Sequence, residues 1–254
     1  MKPQEEFFIG YATPMPPGLA RFITRIVAGL ACGILFWAVT VGAGHVQLDG
    51  GTFEFGSPHH YYGTLVEHPY PALRLDQTGG DALTALLVAP GKQGADSLVQ
   101  GLAGRHVTLT GTRVRRGRLN MVEVEPASIR PHSTPMPALA VNETLATTPA
   151  AKPLNVRGEI VDTKCFLGVM VPGSGKTHKD CASLCLRGGI PAALYMKDRS
   201  GESSVALLTS TSGESLASRT VEEAGESLDM IGTIERDGGW LVLQTNPVTW
   251  RPVR

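Results

Sequence analysis

The chain has 254 residues, enough for one large domain or two small ones, and its 23 basic residues balance its 23 acidic residues. This balance excludes a chain-wide positive field of the kind that attracts nucleic acid. The 30 glycines and 18 prolines predict short strands and turns rather than long helices.

The first predicted element is a transmembrane helix over residues 22–44, which follows a cytoplasmic tail over residues 1–21. Residues 26–44 carry no charge, and a helix needs about 20 apolar residues to cross a lipid bilayer. A cleaved signal peptide is the alternative, but its apolar region of about 7–15 residues would follow a short basic stretch. Arg21 and Arg25 precede the apolar run, so the positive-inside rule predicts a single pass through the inner (cytoplasmic) membrane, with periplasmic C-terminal domains.

An internal repeat organises the rest of the chain. Residues 85–131 align with residues 206–252 without a gap, and 13 of the 47 positions are identical. Upstream, "GTLVE" at 63–67 resembles "GEIVD" at 158–162, but the offset is smaller, so the second copy carries 26 extra residues after its first strand. The repeat therefore predicts two domains with the same fold, the second with an insertion.

Each copy reads as about five short strands with an intervening helix, which resembles an OB-fold, a small five-stranded barrel. An SH3-like barrel is the alternative. The predicted fold class is mainly β, with an N-terminal transmembrane helix and two tandem OB-like barrels. The predicted boundaries are barrel one at 45–131, a Pro/Ala/Thr linker at 132–153, and barrel two at 154–254 with a helical insertion at about 163–196.

The insertion contains a cluster of residues with the chemistry of metal ligands. His178, Cys181 and Cys185 are spaced to lie on one face of a short helix, and Cys165 directly follows the preceding strand. Three thiols and one imidazole form a well-known tetrahedral zinc set, and the same side chains also suit copper(I), iron or haem. Because the first copy has no cysteine, the barrel fold itself does not require these residues. The sequence predicts a metal site with these four ligands.

Other interpretations of the cysteines remain open. In an oxidising compartment, a disulfide from Cys165 to Cys181 or Cys185 would leave one thiol free. A thiol–disulfide redox protein is a further alternative, since neighbouring lysines would lower the pKa of a thiol. The lysines adjacent in sequence are Lys164, Lys176 and Lys179.

Two further motifs do not predict a nucleotide or nucleic-acid site. "GSGKT" at 173–177 resembles the end of a phosphate-binding loop, but Met170 stands where that motif needs its first glycine. Four arginines lie at a hairpin of barrel one, but the second copy loses most of this charge, so no nucleic-acid partner is expected. They are Arg113, Arg115, Arg116 and Arg118. No catalytic triad or carboxylate pair stands out, so independent catalytic activity is not expected.

The anchor followed by an OB-like barrel resembles the architecture of the bacterial haem chaperone of cytochrome c maturation. That resemblance implies haem handling, but the family's His-x-x-x-Tyr motif is absent, and "HHYY" at 59–62 precedes barrel one. The segment beginning "GEIVDTKCFLG" is similar to one in uncharacterised bacterial exported proteins, which implies no activity.

The hypothesis from the sequence is a membrane-anchored periplasmic protein that binds a metal or a metal-containing cofactor. It would act as an accessory or electron-transfer-linked subunit of a membrane protein complex, or in metal or haem delivery. The alternative is a non-catalytic interaction module whose insertion is stapled by a disulfide.

Overall fold

A computed structural model describes residues 15–44, 50–75, 83–132, 152–198 and 200–253, so most of the predicted linker lies outside the described residues. The chain forms two compact units, Met1–Leu48 and Asp49–Arg254. In the first unit, α1 (Pro17–Gly44) is long and apolar enough to cross a membrane, a test that a signal sequence also passes.

The second unit contains both barrels. Barrel one is built from β1 (Thr52–Val66), β2 (Ala72–Leu75), β3 (Thr84–Ala89), β4 (Gln93–Gly94), α2 (Asp96–Val99), β5 (His106–Arg116), β6 (Leu119–Val124) and β7 (Arg130–Pro131). Barrel two is built from β8 (Leu154–Asp162), a π-helical turn (Cys165–Val169), a 3-10 turn (Lys176–His178), α3 (Lys179–Arg187), β9 (Ala192–Lys197), β10 (Ser203–Thr209), a 3-10 turn (Ser218–Thr220), β11 (Ser227–Asp237), β12 (Trp240–Thr245), a 3-10 turn (Pro247–Thr249) and β13 (Arg251–Pro252).

Each barrel closes as a ring of five strands. The order around barrel one is β1-β2-β3-β6-β5, with β5 pairing back to β1, and around barrel two it is β8-β9-β10-β12-β11, with β11 pairing back to β8. The β3–β6 and β10–β12 pairs are parallel, and the other ring pairs are antiparallel. A short helical segment follows β3 and β10. The predicted mainly β architecture with two OB-like barrels is confirmed.

The internal repeat is reproduced in the strand register. Ala85 pairs with Asn120 in barrel one, as Ala206 pairs with Leu241 in barrel two. At the first strands, Val66 pairs with Ala72, as Val161 pairs with Ala193. The strand β9 is therefore the equivalent of β2, and the extra residues occupy the loop between the first and second ring strands of barrel two.

The two barrels pack directly on each other. Trp240 Nε1 donates to Thr84 O (3.1 Å), and Thr84 N donates to Gly238 O (2.9 Å). The Arg116 guanidinium of barrel one lies 4.2 Å from the centre of the Phe166 ring in the insertion. Buried apolar side chains of both barrels belong to one continuous core. Barrel one thus contributes to the surroundings of the inserted segment.

Replacing Tyr70 with phenylalanine is expected to lower the free energy of unfolding by about 1–2 kcal/mol, because two buried backbone groups lose a partner. Tyr70 Oη donates to Leu208 O (2.6 Å) and accepts from Leu216 N (3.3 Å) across the barrel contact. Urea titration of the full chain in detergent micelles measures the change.

The same variant is expected to change the response to alkali. Burial raises the pKa of Tyr70 from 10.0 to about 12. The folded state therefore keeps a proton that the unfolded chain releases, so this contribution to stability is complete below pH 10 and falls as the pH approaches 12. Stability should fall less steeply over this interval in Tyr70→Phe, and identical alkaline slopes would contradict this assignment.

Candidate metal centre

The ligand-type side chains come from three consecutive pieces of barrel two. Asp162 ends β8, Cys165 begins the π-helical turn, and α3 carries Cys181 and Cys185 directly after His178. Cys165 N donates to Asp162 Oδ1 (2.8 Å), which fixes the turn to the end of the strand. The helix and the turn therefore face each other across the end of β8.

The ligand atoms of Cys165, His178 and Cys181 all lie within 4.8 Å of one another. Cys165 Sγ lies 4.0 Å from Cys181 Sγ and 3.9 Å from Cys185 Sγ, and all three cysteines are free thiols. Zinc–sulfur bonds of about 2.3 Å at tetrahedral angles separate two sulfurs by about 3.8 Å. The spacing of the sulfurs therefore suits a shared ion.

The structure brings three of the four predicted ligands into one group and places the fourth beside it. Cys185 forms a second group with Asp162 and Cys165, so Cys165 is common to both. Cys165, His178 and Cys185 are at most 4% exposed, whereas Cys181 is partly exposed. A bound ion would thus be reached from the Cys181 side.

Asp162 lies where it can orient His178, one of the candidate metal ligands. Its carboxylate is fully buried, and Oδ2 lies 3.0 Å from His178 Nε2. A hydrogen bond between a ring nitrogen and a carboxylate is typical of metal-bound histidines.

Barrel one completes the cluster with Lys92, from the loop between β3 and β4. Lys92 Nζ lies 2.8 Å from Cys181 Sγ and 3.7 Å from Cys185 Sγ. The loop approaches α3 closely because Gly188 has no side chain: a Cβ there would lie 1.8 Å from Lys92 O. Gly94 N also donates to Gly188 O (2.8 Å). The cluster is therefore shared between the two barrels.

The hydrogen bonds divide the thiols into donors and acceptors. The hydrogen bond from Lys92 to Cys181 raises the pKa of Lys92 and keeps its amine positively charged. The hydrogen bond between Cys165 and Cys185 lowers the pKa of Cys185, and Lys92 contributes to the lowering. The same bond, burial and Asp162 raise the pKa of Cys165. Cys185 therefore has the stronger tendency to be a thiolate.

Two of the three lysines adjacent in sequence to the thiols pair with carboxylates. The Lys164 amine pairs with Glu123 of barrel one, and Lys179 Nζ pairs with Glu226 Oε1 (2.7 Å). The lysine that contacts the thiols is Lys92, which hydrogen bonds to Cys181 and helps lower the pKa of Cys185. No sequence motif could have identified Lys92, because it lies in the other repeat, whereas Asp162 could have been considered as the acidic residue that ends "GEIVD".

Groups in both the phosphate-loop-like stretch and the arginine-rich hairpin make contacts within the chain. Gly175 N, in the stretch resembling a phosphate loop, donates to the Glu159 carboxylate, so an anionic group already lies where a phosphate would bind. At the arginine-rich hairpin, Arg116 donates to Phe166 O (2.8 Å) and Arg115 lies 3.9 Å from Glu54.

Comparison with known proteins adds little to this geometry. No protein-family model and no curated protein matches the chain. Among solved structures, the wild-type single-stranded DNA binding protein from Thermus aquaticus is 14% identical, with 81% of this chain and 94% of that one covered and a TM-score of 0.23. A deletion mutant of the same protein is 12% identical over 82% and 97% of the two chains, also with a TM-score of 0.23. At that TM-score the likeness carries no argument.

Proposed function

We propose that the chain is a membrane-anchored periplasmic protein that binds zinc(II) or copper(I) through Cys165, His178 and Cys181, with Cys185 beside them. It serves as an accessory or electron-transfer-linked subunit of a membrane redox complex, or in metal delivery. One observation carries the proposal: two thiols and an imidazole have their ligand atoms within 4.8 Å of one another, and a buried carboxylate orients the imidazole.

The donor set and its burial support this choice of ion. Sulfur and imidazole ligands favour zinc and copper(I), whereas magnesium and calcium prefer oxygen ligands. Cys165 and His178 are each 4% exposed, which leaves little access for the face of a porphyrin and favours a bare ion over haem. The positive charge of Lys92 beside Cys181 supports thiolate ligands.

The location rests on α1 and on the flanking charge. Arg21 and Arg25 lie at the N-terminal end of an otherwise apolar run, and in the described part of α1 the side chains face outward. A membrane anchor and a metal centre on the same chain are expected of a subunit that exchanges electrons or ions with a membrane complex.

The test is metal analysis of the full chain, purified in detergent micelles under mild reducing conditions. We expect close to one zinc or copper per chain by elemental analysis, and intense sulfur-to-cobalt charge-transfer absorption after replacement with cobalt(II). Cys32 lies in α1, so Cys32→Ser is the matched control and should keep the full metal content.

The competing interaction-module hypothesis gives a different result in the same preparation. A chain without metal, with one free thiol among Cys165, Cys181 and Cys185 whatever the chelator concentration, would have a disulfide-stapled insertion and would contradict the metal proposal.

A further inference from the structure

Barrel one contains a cavity of about 500 Å³. This volume falls within the range of small-molecule sites, about 300–1,000 Å³. None of the lining residues belongs to the metal centre. All five ring strands contribute to the lining, through Tyr61 on β1, Leu75 on β2, Ala85 on β3, Arg113 on β5, and Asn120 and Val122 on β6.

The repeat provides a comparison within the same molecule. Because the two barrels share one register, the polar residues Tyr61, Arg113 and Asn120 of the lining have equivalents in barrel two. The equivalents of Tyr61, Arg113 and Asn120 are Val156, Ile234 and Leu241, and these three apolar side chains pack against the core of barrel two. The fold therefore does not need polar groups at these positions. Barrel one has polar side chains where barrel two has apolar ones.

Arg113 is held rigidly at the cavity. Its Nε and Nη2 donate to Asn120 Oδ1 at 3.1 and 2.8 Å, and Asn120 Nδ2 donates to Arg118 O at 2.8 Å. Asn120 is only 6% exposed, so it acts as a fixed support. Within the described part of the chain, Nη1 of Arg113 makes no hydrogen bond and remains available for an anionic ligand.

Tyr61 supplies a second donor. Its Oη is buried and has no hydrogen-bond partner among the described residues. Burial raises the pKa of Tyr61, while Arg113 partly offsets the rise, so the phenol keeps its proton at neutral pH. An unpaired buried hydroxyl costs about 1–3 kcal/mol, and a ligand oxygen would remove this penalty.

Among the charged side chains at the cavity, Arg113 is the one without an oppositely charged partner in the described part of the chain. Glu54 also lines it, but its carboxylate lies 2.9 Å from His59 Nε2 and 3.9 Å from Arg115 Nε. The floor, with Leu75, Ala85 and Val122, is apolar. The cavity thus combines a fixed cation and a hydroxyl donor with an apolar surface.

We propose that this cavity binds a small carboxylate with an apolar body. The carboxylate accepts from Arg113 Nη1 and Tyr61 Oη, and the apolar part lies on the floor. This site is independent of the proposed metal centre, and the failure of either proposal leaves the other standing.

The probe is phenylacetate, titrated by calorimetry into the full chain in lipid nanodiscs, with 2-phenylethanol as the uncharged analogue. We expect saturable binding of phenylacetate and much weaker binding of the alcohol. The double variant Arg113→Ile/Asn120→Leu copies barrel two and should weaken phenylacetate binding about 10- to 100-fold. Arg118→Ala removes a positive charge from the same hairpin outside the cavity lining and should leave the affinity unchanged.

Two further variants keep the test decisive. Tyr61→Phe removes only the unpaired hydroxyl, so it should weaken binding about 3- to 10-fold without lowering the thermal midpoint of unfolding. Cys165→Ser should bind phenylacetate like the wild type, and a loss in this variant would place the carboxylate at the metal centre and overturn the proposal. Absent binding to the wild type, or equal affinity in the wild type and Tyr61→Phe, would also overturn it.

Discussion

Replacing Cys165 with serine is expected to weaken metal binding by more than about 100-fold, the largest effect of any substitution at the centre. Cys165 belongs to both ligand groups, and its sulfur lies 4.0 and 3.9 Å from those of Cys181 and Cys185. A serine hydroxyl is not a thiolate and is a poor ligand for zinc or copper(I). No other substitution removes a ligand from both groups.

Competition with a chromogenic chelator measures the affinity of each variant. Cys185→Ser should lose less affinity than Cys165→Ser, because Cys185 is absent from the group that contains His178. Lys92→Met keeps all proposed ligands but removes the donor to Cys181, and should lose about 10- to 100-fold. Equal losses in Cys165→Ser and in the control Cys32→Ser would contradict the assignment of the site.

Replacing Lys164 with methionine is expected to lower the free energy of unfolding by about 3 kcal/mol, because it leaves the partly buried Glu123 carboxylate without its partner. The Lys164 side chain is 3% exposed and that of Glu123 is 19% exposed. Lys164 Nζ also donates to Ala89 O (2.9 Å) and Gly91 O (2.6 Å). The amine therefore joins the insertion to the barrel-one loop that carries Lys92.

Urea titration of the chelator-treated full chain, followed by tryptophan fluorescence, measures this loss. Glu123→Leu combined with Lys164→Met removes both charges and should recover much of the stability. Arg157→Ala breaks a pair with Asp229 at the surface and should produce no resolvable change. If Lys164→Met and Arg157→Ala behave alike, Lys164 does not join the insertion to barrel one.

The fold was predictable because it depends on local patterns repeated along the chain. Matched glycines, alternating strands and the Arg-Pro endings at 130–131 and 251–252 are visible in the sequence, and the strand pairs reproduce the repeat offset. The apolar run that forms α1 is equally local. Which strands close the ring is a long-range property, so the choice between an OB-like and an SH3-like barrel required the β3–β6 pairing.

The sequence by itself determined which residues are the candidate metal ligands: Cys165, His178, Cys181 and Cys185 stand out by type, by spacing and by their absence from the first copy. Only the tertiary structure decided that Lys92 lies beside Cys181, that Lys164 pairs with Glu123, and that Arg113 and Tyr61 line a cavity where barrel two is packed with apolar side chains. The physical reason is that the chemistry of a side chain and the periodic spacing of residues along a strand or helix are properties of short segments. Contacts between segments many residues apart depend instead on how the two barrels pack, and no spacing in the sequence encodes that packing.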